Sequence, residues 1–349
     1  MLKNLHRQTF LGIHSEAIGH FIRETEILDF LIQTSLELSD NKQVVLCTQK
    51  TVSNLFFLRV ISETYKILSW PYGTYLIRAL NRISRTHKAR HDLFARRDSD
   101  FIFEIHKERS RLITVGQQEE MNKHLETHAQ NLNTDEYVVF AIRDSGYDLS
   151  QWKNLDSSEQ EYRHTPIDYF LPAIEFLESR NISVVRVGRH NNTSISSSNG
   201  KRIEISDLKC SNEALCDFAF FNKAKRVYST GTGVDDIGLF LRKSTVYLNV
   251  APFGNVPKSP LIKAMLASDY FDETGRRISL KELVDRNLHN TRPTKYIKSG
   301  EISIEPKSPK LILEFVSAIE GAGEDQSGFD IVKSLAKSGL GEQWENVLY

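Results

Sequence analysis

Two periods of apolar and polar residues alternate along this chain. QTFLGI (8–13) is a compact apolar run that predicts a strand. From His20 to Leu36 the residues Phe21, Ile27, Leu28, Leu31 and Leu36 then recur at near-helical spacing. The succession repeats: VVLCT (44–48) reads as a strand, Val52 to Thr64 as a helix, KILSW (66–70) as a strand and Thr74 to Ile83 as a helix. Residues 98–135 are less regular. Within them FIFEI (101–105) looks extended and Gln117 to Leu132 looks like a polar helix. A second series opens with the strand YVVFAIR (137–143). It runs through a helix over Ile167–Arg180, the strand ISVVRVG (182–188), a short strand at 201–205 and a helix from Asn212 to Phe221. RVYS (226–229), a short helix over 234–241 and TVYLNV (245–250), the last clear strand, complete it. Pro172 fits its helix only if regular winding begins within a turn of it or kinks there. Further on, Ser279-x-x-Glu282 is a capping box, Ser308-Pro309 is an N-cap followed by an N1 proline, and Gly321 supplies a stop.

Strands alternating with helices predict an α/β fold of two Rossmann-like, doubly wound domains facing a cleft. The expected division is 1–133 and 134–349, with C-terminal helices packing back on the N-terminal domain. Ligands of such folds bind beyond the carboxyl ends of the strands, so the loops after each strand are where chemistry is sought.

Four of those loops are informative. HSEAIGH (14–20) has a glycine for close approach and two histidines able to act as acid or base; a helix cap or surface role is the plainer alternative. Arg143-Asp144-Ser145-Gly146 offers either a guanidinium for phosphate or an internal ion pair. Gly188-Arg189-His190 repeats the cation at the next strand end. Thr230-Gly231-Thr232-Gly233 combines backbone N–H donors with two hydroxyls, as a phosphate or sugar site would, or as a tight strand-to-helix turn would. It is no Walker loop, and its glycines at 231, 233 and 238 do not make a dinucleotide fingerprint. Asp235 and Asp236 follow at once. They suit a helix N-terminus but repel a diphosphate. The expected resolution is that Asp235 caps the helix or meets a sugar hydroxyl, while the arginines hold the phosphate.

Composition narrows the partners. Of 349 residues, 40% are hydrophobic and 26% charged, and Lys+Arg equals Asp+Glu at 45, so no global basic field gathers nucleic acid. A basic stretch at 78–97 is either a solvated face or a contact for an anionic partner, such as the lipid head groups of the inner membrane. The cysteines at 47, 210 and 216 match no zinc spacing and make a disulfide framework an unfavoured reading. MLKNLHRQTF lacks the apolar core of a signal peptide, and no run of 18 apolar residues occurs. A reducing, cytoplasmic location is expected.

The motifs YVVFAIRDSGY, YFLPAIEFLESRNISVVRVGR and YSTGTGVDDIGLFLRKSTVYLNVAPFG, together with AIGHFIRETE at 17–26, resemble a group of bacterial glycosyltransferases from surface-polysaccharide loci. The similarity covers about residues 8–26 and 135–290, and extends distantly to fucosyltransferase-like GT-B enzymes. It implies a GT-B fold whose C-terminal domain binds a nucleotide-sugar donor and whose N-terminal domain binds a glycan or lipid-linked acceptor, in capsule or lipopolysaccharide assembly. It implies no cofactor and no metal. By motif match Arg143, Asp144, Arg189, Thr230, Gly231, Thr232, Gly233 and Asp235 line the donor pocket. His20 is the first candidate base, with Glu16 and Glu24 as rivals. A GT-B-shaped sugar-nucleotide epimerase and a non-catalytic nucleotide-sugar-binding protein are the alternatives.

Overall fold

In the computed structural model, the residues described are 8–34, 43–69, 100–108, 110, 112–130, 132, 136–146, 157–189, 191–197, 200–322 and 347–348. The helix expected at 74–83, the basic stretch 78–97 and the domain boundary at 133–134 lie outside them. Among the described residues no helix is long and apolar enough to cross a membrane.

The first unit contains β1 (Gln8–Gly12), α1 (Ile18–Thr34), β2 (Gln43–Thr48), α2 (Leu55–Ser62) and β3 (Lys66–Ser69). Its strands are parallel, in the order β1-β2-β3. Two helices follow, α3 (Asp100–Lys107) and α4 (Val115–His128). A capping box starts α4: Thr114 and Gln117 exchange side-chain bonds to each other's backbone N–H.

The second unit contains β4 (Tyr137–Ala141), α5 (Leu171–Ser179), β5 (Ser183–Val187), β6 (Arg202–Glu204), α6 (Glu213–Lys223) and β7 (Arg226–Ser229). It goes on through α7 (Asp235–Phe240), β8 (Thr245–Val250) and β9 (Ile262–Ala267). The remaining elements are β10 (Asp269–Asp272), α8 (Leu280–Asp285), α9 (Thr294–Lys298), β11 (Ile302–Glu305), α10 (Pro309–Gly321) and β12 (Val347–Leu348). The large sheet has the order β12-β9-β8-β7-β4-β5-β6, parallel except for β12. From β4 the chain steps outward to β5 and β6, then returns to β4's other side as β7 and steps outward again. That is the strand order of a dinucleotide-binding fold, and its direction reverses between β4 and β7. The chain is thus α/β with two Rossmann-like, parallel-sheet units.

Alternation across the large sheet sets up two cores. Val139, Ala141, Val185, Val187 and Val227 face α6 and the first unit. Val138, Phe140, Val184, Tyr228 and Val246 face α5 and α10. The first core runs without interruption into the N-terminal unit. Phe57 of α2 stacks on Phe218 of α6 (6.0 Å between centroids) and meets Phe240 of α7 edge-on (5.2 Å). At the same interface α1 comes close to the loop after β7. A Cβ on Gly19 would lie 2.6 Å from Asp236 Oδ2 and 2.8 Å from Gly233 Cα, so only glycine allows the approach.

Several expectations change. FIFEI is the body of α3. Ile102 and Ile105 are buried while Phe103 and Glu104 are exposed, a helical spacing that so short an apolar run did not reveal. TVYLNV is not the last strand of the series: IKAMLA (262–267) adds β9 with Ala264 and Leu266 buried. Helix α10 packs on α5 over the large sheet, and residues 323–346, which follow it, lie outside the described residues. Cys210 and Cys216 form a disulfide, the pairing the sequence reading disfavoured. They meet because Cys216 lies in the first turns of α6 and Cys210 just before its N-cap, Asn212. Pro172 sits in the first turn of α5, preceded by a separate 3-10 turn at Ile167–Tyr169, so no kink is needed.

The Gly19 contact is testable by comparison with Gly116, whose Cβ would meet nothing within 4 Å. Gly19→Ala is expected to lower stability in thermal or urea unfolding by about 1–3 kcal/mol through overpacking. Gly116→Ala, in the first turn of α4, should be neutral or gain up to about 1 kcal/mol from helix propensity. Equal effects at both positions would count against the close approach.

Candidate functional site

The reversal point of the large sheet brings two strand ends together. Ala141 and Ser229 are register partners at the ends of β4 and β7. Beyond them Thr230 N donates to Ala141 O (3.1 Å), and Arg143 N donates to Thr230 Oγ1 (2.9 Å). Thr230 is buried and ties the two loops together. Gly231 follows with φ +78°, and its N–H donates to Ser229 Oγ (3.0 Å). A side chain there would be strained by the backbone and pressed against Val250. Thr232 keeps a buried hydroxyl with no hydrogen-bond partner among the described residues.

Beside this loop, positive charge gathers around Tyr162, in part from residues the sequence did not single out. Arg163, at the end of a 3-10 segment (Ser157–Arg163), donates from Nη2 to Gly231 O (2.7 Å). Tyr162 lies half-buried within the electrostatic reach of Arg163, Arg292 and Arg143. Burial raises the Tyr162 phenol, and the three guanidiniums oppose the rise without cancelling it. Arg163 and Arg292 follow no strand, so a search confined to strand ends passes them by.

Asp235 and Asp236 turn inward from the loop. Asp236 Oδ1 accepts from both Nε (3.1 Å) and Nη2 (2.6 Å) of Arg23 in α1. Burial works against charge on Arg23, but the Asp236 carboxylate beside it outweighs that and holds the guanidinium charged. Asp235 Oδ2 accepts from Ser229 Oγ (2.7 Å), and Tyr247 lies beside the same carboxyl. Burial first, and the neighbouring Asp236 second, push Asp235 above the ordinary carboxylate range. Burial raises Asp236 as well, but the Arg23 guanidinium opposes that rise most directly, so of the two carboxyls Asp235 is the more readily protonated. Asp235 does not cap α7: Val234 is the cap residue and supplies no side-chain bond.

Across the interface the loop after β1 carries an ordered histidine. His14 N donates to Glu24 Oε2 and His14 Nδ1 meets Glu24 Oε1, both at 2.8 Å. Glu24 is buried in α1, whereas His20 Nδ1 stands 3.8 Å from Glu24 Oε1 with its ring 5.9 Å from that of His14. The sequence favoured His20 because it belongs to the AIGHFIRETE motif. The signal for His14 was the glutamate ten residues on, which α1 folds back onto it. Glu16 is exposed.

Two further expected residues have structural partners. Asp144 accepts from Gly146 N, Asn192 N and Arg186 Nη2, each at 2.9 Å, and so shapes the Arg143 loop. Arg189 pairs with Glu213 (2.5 Å) and Asp217 (2.9 Å) of α6, away from the Thr230 loop's own contacts. Burial lifts Asp217 to about 6 even though Arg189 opposes the shift.

No protein-family model and no curated protein matches the sequence. Among solved structures, the chain is similar to a family 9 glycosyl transferase from Veillonella parvula at 9% identity and TM-score 0.45, over 88% of this chain and 96% of that one. It is similar to the E. coli ADP-heptose lipopolysaccharide heptosyltransferase II at 10% identity and TM-score 0.44, over 84% and 98%. A third similarity is to an E. coli heptosyltransferase solved with an ADP-fluoroheptose, at 11% identity and TM-score 0.35, over 72% and 92%.

The raised pKa of Asp235 predicts a pH dependence. A carboxyl with a raised folded pKa contributes stability that is full below the unfolded value, about 3.9, and is lost as pH rises through the folded value. Wild-type stability should therefore fall between about pH 4 and neutrality, and Asp235→Asn should fall less over the same range. Parallel denaturation profiles for the two proteins would show Asp235 to be ionised throughout.

Proposed function

We propose that this protein is a metal-independent GT-B-type glycosyltransferase that moves a sugar from a nucleotide-sugar donor to a glycan or lipid-linked acceptor in bacterial surface-polysaccharide assembly. The observation that carries the proposal is the gathering of Arg143, Arg163 and Arg292 around Tyr162, with Arg163 bonded to the loop that Thr230 and Gly231 fix. A departing diphosphate gains negative charge as the glycosidic bond breaks, and prepositioned guanidiniums stabilise that charge as it develops. Thr232 and the loop's N–H groups line the same pocket in this reading.

On the facing side, His14 is the proposed base. Its ring is oriented by the buried Glu24 as a base is oriented in a hydrolytic triad. It takes the proton from the acceptor hydroxyl, the acceptor oxygen bonds to the anomeric carbon, and the carbon–oxygen bond to phosphate breaks with its electron pair leaving on the nucleoside diphosphate. His20 stands beside this pair and shapes the acceptor side. The non-catalytic reading rested on the two carboxylates after the glycine loop and on the lack of an unambiguous base. Burial of both acids against Arg23, Ser229 and Tyr247 weighs against the first ground, and the His14–Glu24 pair supports an answer to the second.

A panel of nucleotide sugars, with and without acceptor glycans, read by nucleoside diphosphate release, tests the reading. Acceptor-dependent release is expected; an isomerised sugar nucleotide formed without acceptor would establish the epimerase instead. Arg143→Ala and Arg163→Ala should each weaken donor binding about 10- to 100-fold, the loss of a charge-assisted hydrogen bond of about 1.5–3 kcal/mol. Arg189→Ala should change it less, because Glu213 and Asp217 already engage that guanidinium. His14→Ala should lower kcat by about 10²–10⁴ with little change in donor affinity, and His20→Ala should lower it less. The reverse order of the two histidine variants would move the base to His20.

A further inference from the structure

A second cluster of reactive side chains lies where α4 meets α6, apart from the residues of the candidate donor site. His124 and His128 are four residues apart on α4, so they share one helix face, and their ring centroids are 4.5 Å apart. The ligand atoms of His124, His128 and Cys210 all lie within 4.8 Å of one another. Cys216 joins them through its bond to Cys210. His124 Nε2 is buried and has no hydrogen-bond partner among the described residues. A buried imidazole nitrogen without a partner, on a ring whose ligand atom lies within reach of Cys210, is a poor use of a polar group unless something occupies the space.

We propose that, with its thiols reduced, the protein binds one zinc-class divalent cation through His124, His128, Cys210 and Cys216 as a closed structural site. The donor set is two imidazoles and two thiolates, the set that favours tetrahedral zinc over magnesium or calcium. Tetrahedral ligands around zinc stand roughly 3.5–4 Å apart, so His124, His128 and Cys210 need only a small contraction, while the two sulfurs separate once their bond opens. No open position remains for a substrate, so the role is structural.

The chemistry balances simply. A dithiol reductant opens the Cys210–Cys216 bond by exchange, becomes a disulfide itself and leaves two cysteine thiols. Each thiol gives one proton to solvent as its sulfur binds the cation, and the imidazoles bind neutral. Disulfide and metal are thus two alternative closures of the same corner.

The position gives the closure a consequence. Helices α4 and α6 run antiparallel: His124 and His128 meet the start of α6, while Gln118 and Asn122 bond to Asn222 near its end (2.9 and 3.1 Å). The cation would replace the covalent loop of the disulfide with a cross-link from α4 to α6. Because Glu213 and Asp217 hold Arg189 from the same first turns of α6, the cross-link also fixes that arginine's setting.

Cobalt titration of the untagged full chain, reduced with a phosphine and kept free of oxygen, tests this. One equivalent should bind with the intense visible bands of tetrahedral cobalt and a sulfur-to-cobalt charge-transfer band near the ultraviolet. Zinc should displace it and bleach both. The disulfide form should show neither signal, and Cys210→Ser/Cys216→Ser should lose the charge-transfer band. His124→Gln/His128→Gln should lose tetrahedral binding while keeping its far-ultraviolet circular dichroism. The proposal is overturned if the reduced wild type, folded by the same criterion, gives no charge-transfer band. It is equally overturned if the double histidine variant gives an unchanged spectrum.

Discussion

The contact between Arg23 and Asp236 is the constraint around which the two units are organised. It joins α1 of the first sheet to α7 of the second, with both partners largely removed from water. A buried ion pair adds little net stability over a well-packed apolar contact, but losing one partner costs about 3–5 kcal/mol because the other charge is stranded. The pair therefore acts as a condition on geometry: the units dock only where the guanidinium reaches the carboxylate. Gly19 and Gly233 make that docking distance attainable by keeping side chains out of the seam. The aromatic contacts of Phe57 with Phe218 and Phe240 fill the remainder.

Much of the second unit was legible because its central strands are buried on both faces. YVVFA, SVVRV and TVYLNV are near-continuous apolar, β-branched runs, the signature of a parallel sheet covered by helices. Where a run was short and its period concealed, as in FIFEI, sequence and structure part. The later strands were missed for a related reason. In IKAMLA, Lys263 and Met265 interrupt the buried Ala264 and Leu266, and alanine is a weak strand former.

The site was legible only in part. Loops at strand ends are where a doubly wound fold puts ligands, so Arg143 and the Thr230–Gly233 turn stood out. Arg163 and Arg292 did not, because no periodic element announces them. The two aspartates could not be placed from sequence because the partner of Asp236 is 213 residues away. Next to the glycine loop in sequence, both acids are engaged elsewhere in space, Asp236 by Arg23 and Asp235 by Ser229. Cysteine spacing was silent in the same way: Cys210 and Cys216 are joined across the start of one helix, and the two histidines near Cys210 stand on another.

The single hydroxyl of Thr230 has a mechanical meaning. It accepts the N–H of Arg143 while its own backbone N–H reaches Ala141. The loops after β4 and β7 are consequently stapled at their roots and form one stiff lip. A molecule entering at the reversal point meets a preset rim, and any accommodation to its shape falls to the side chains standing on that rim.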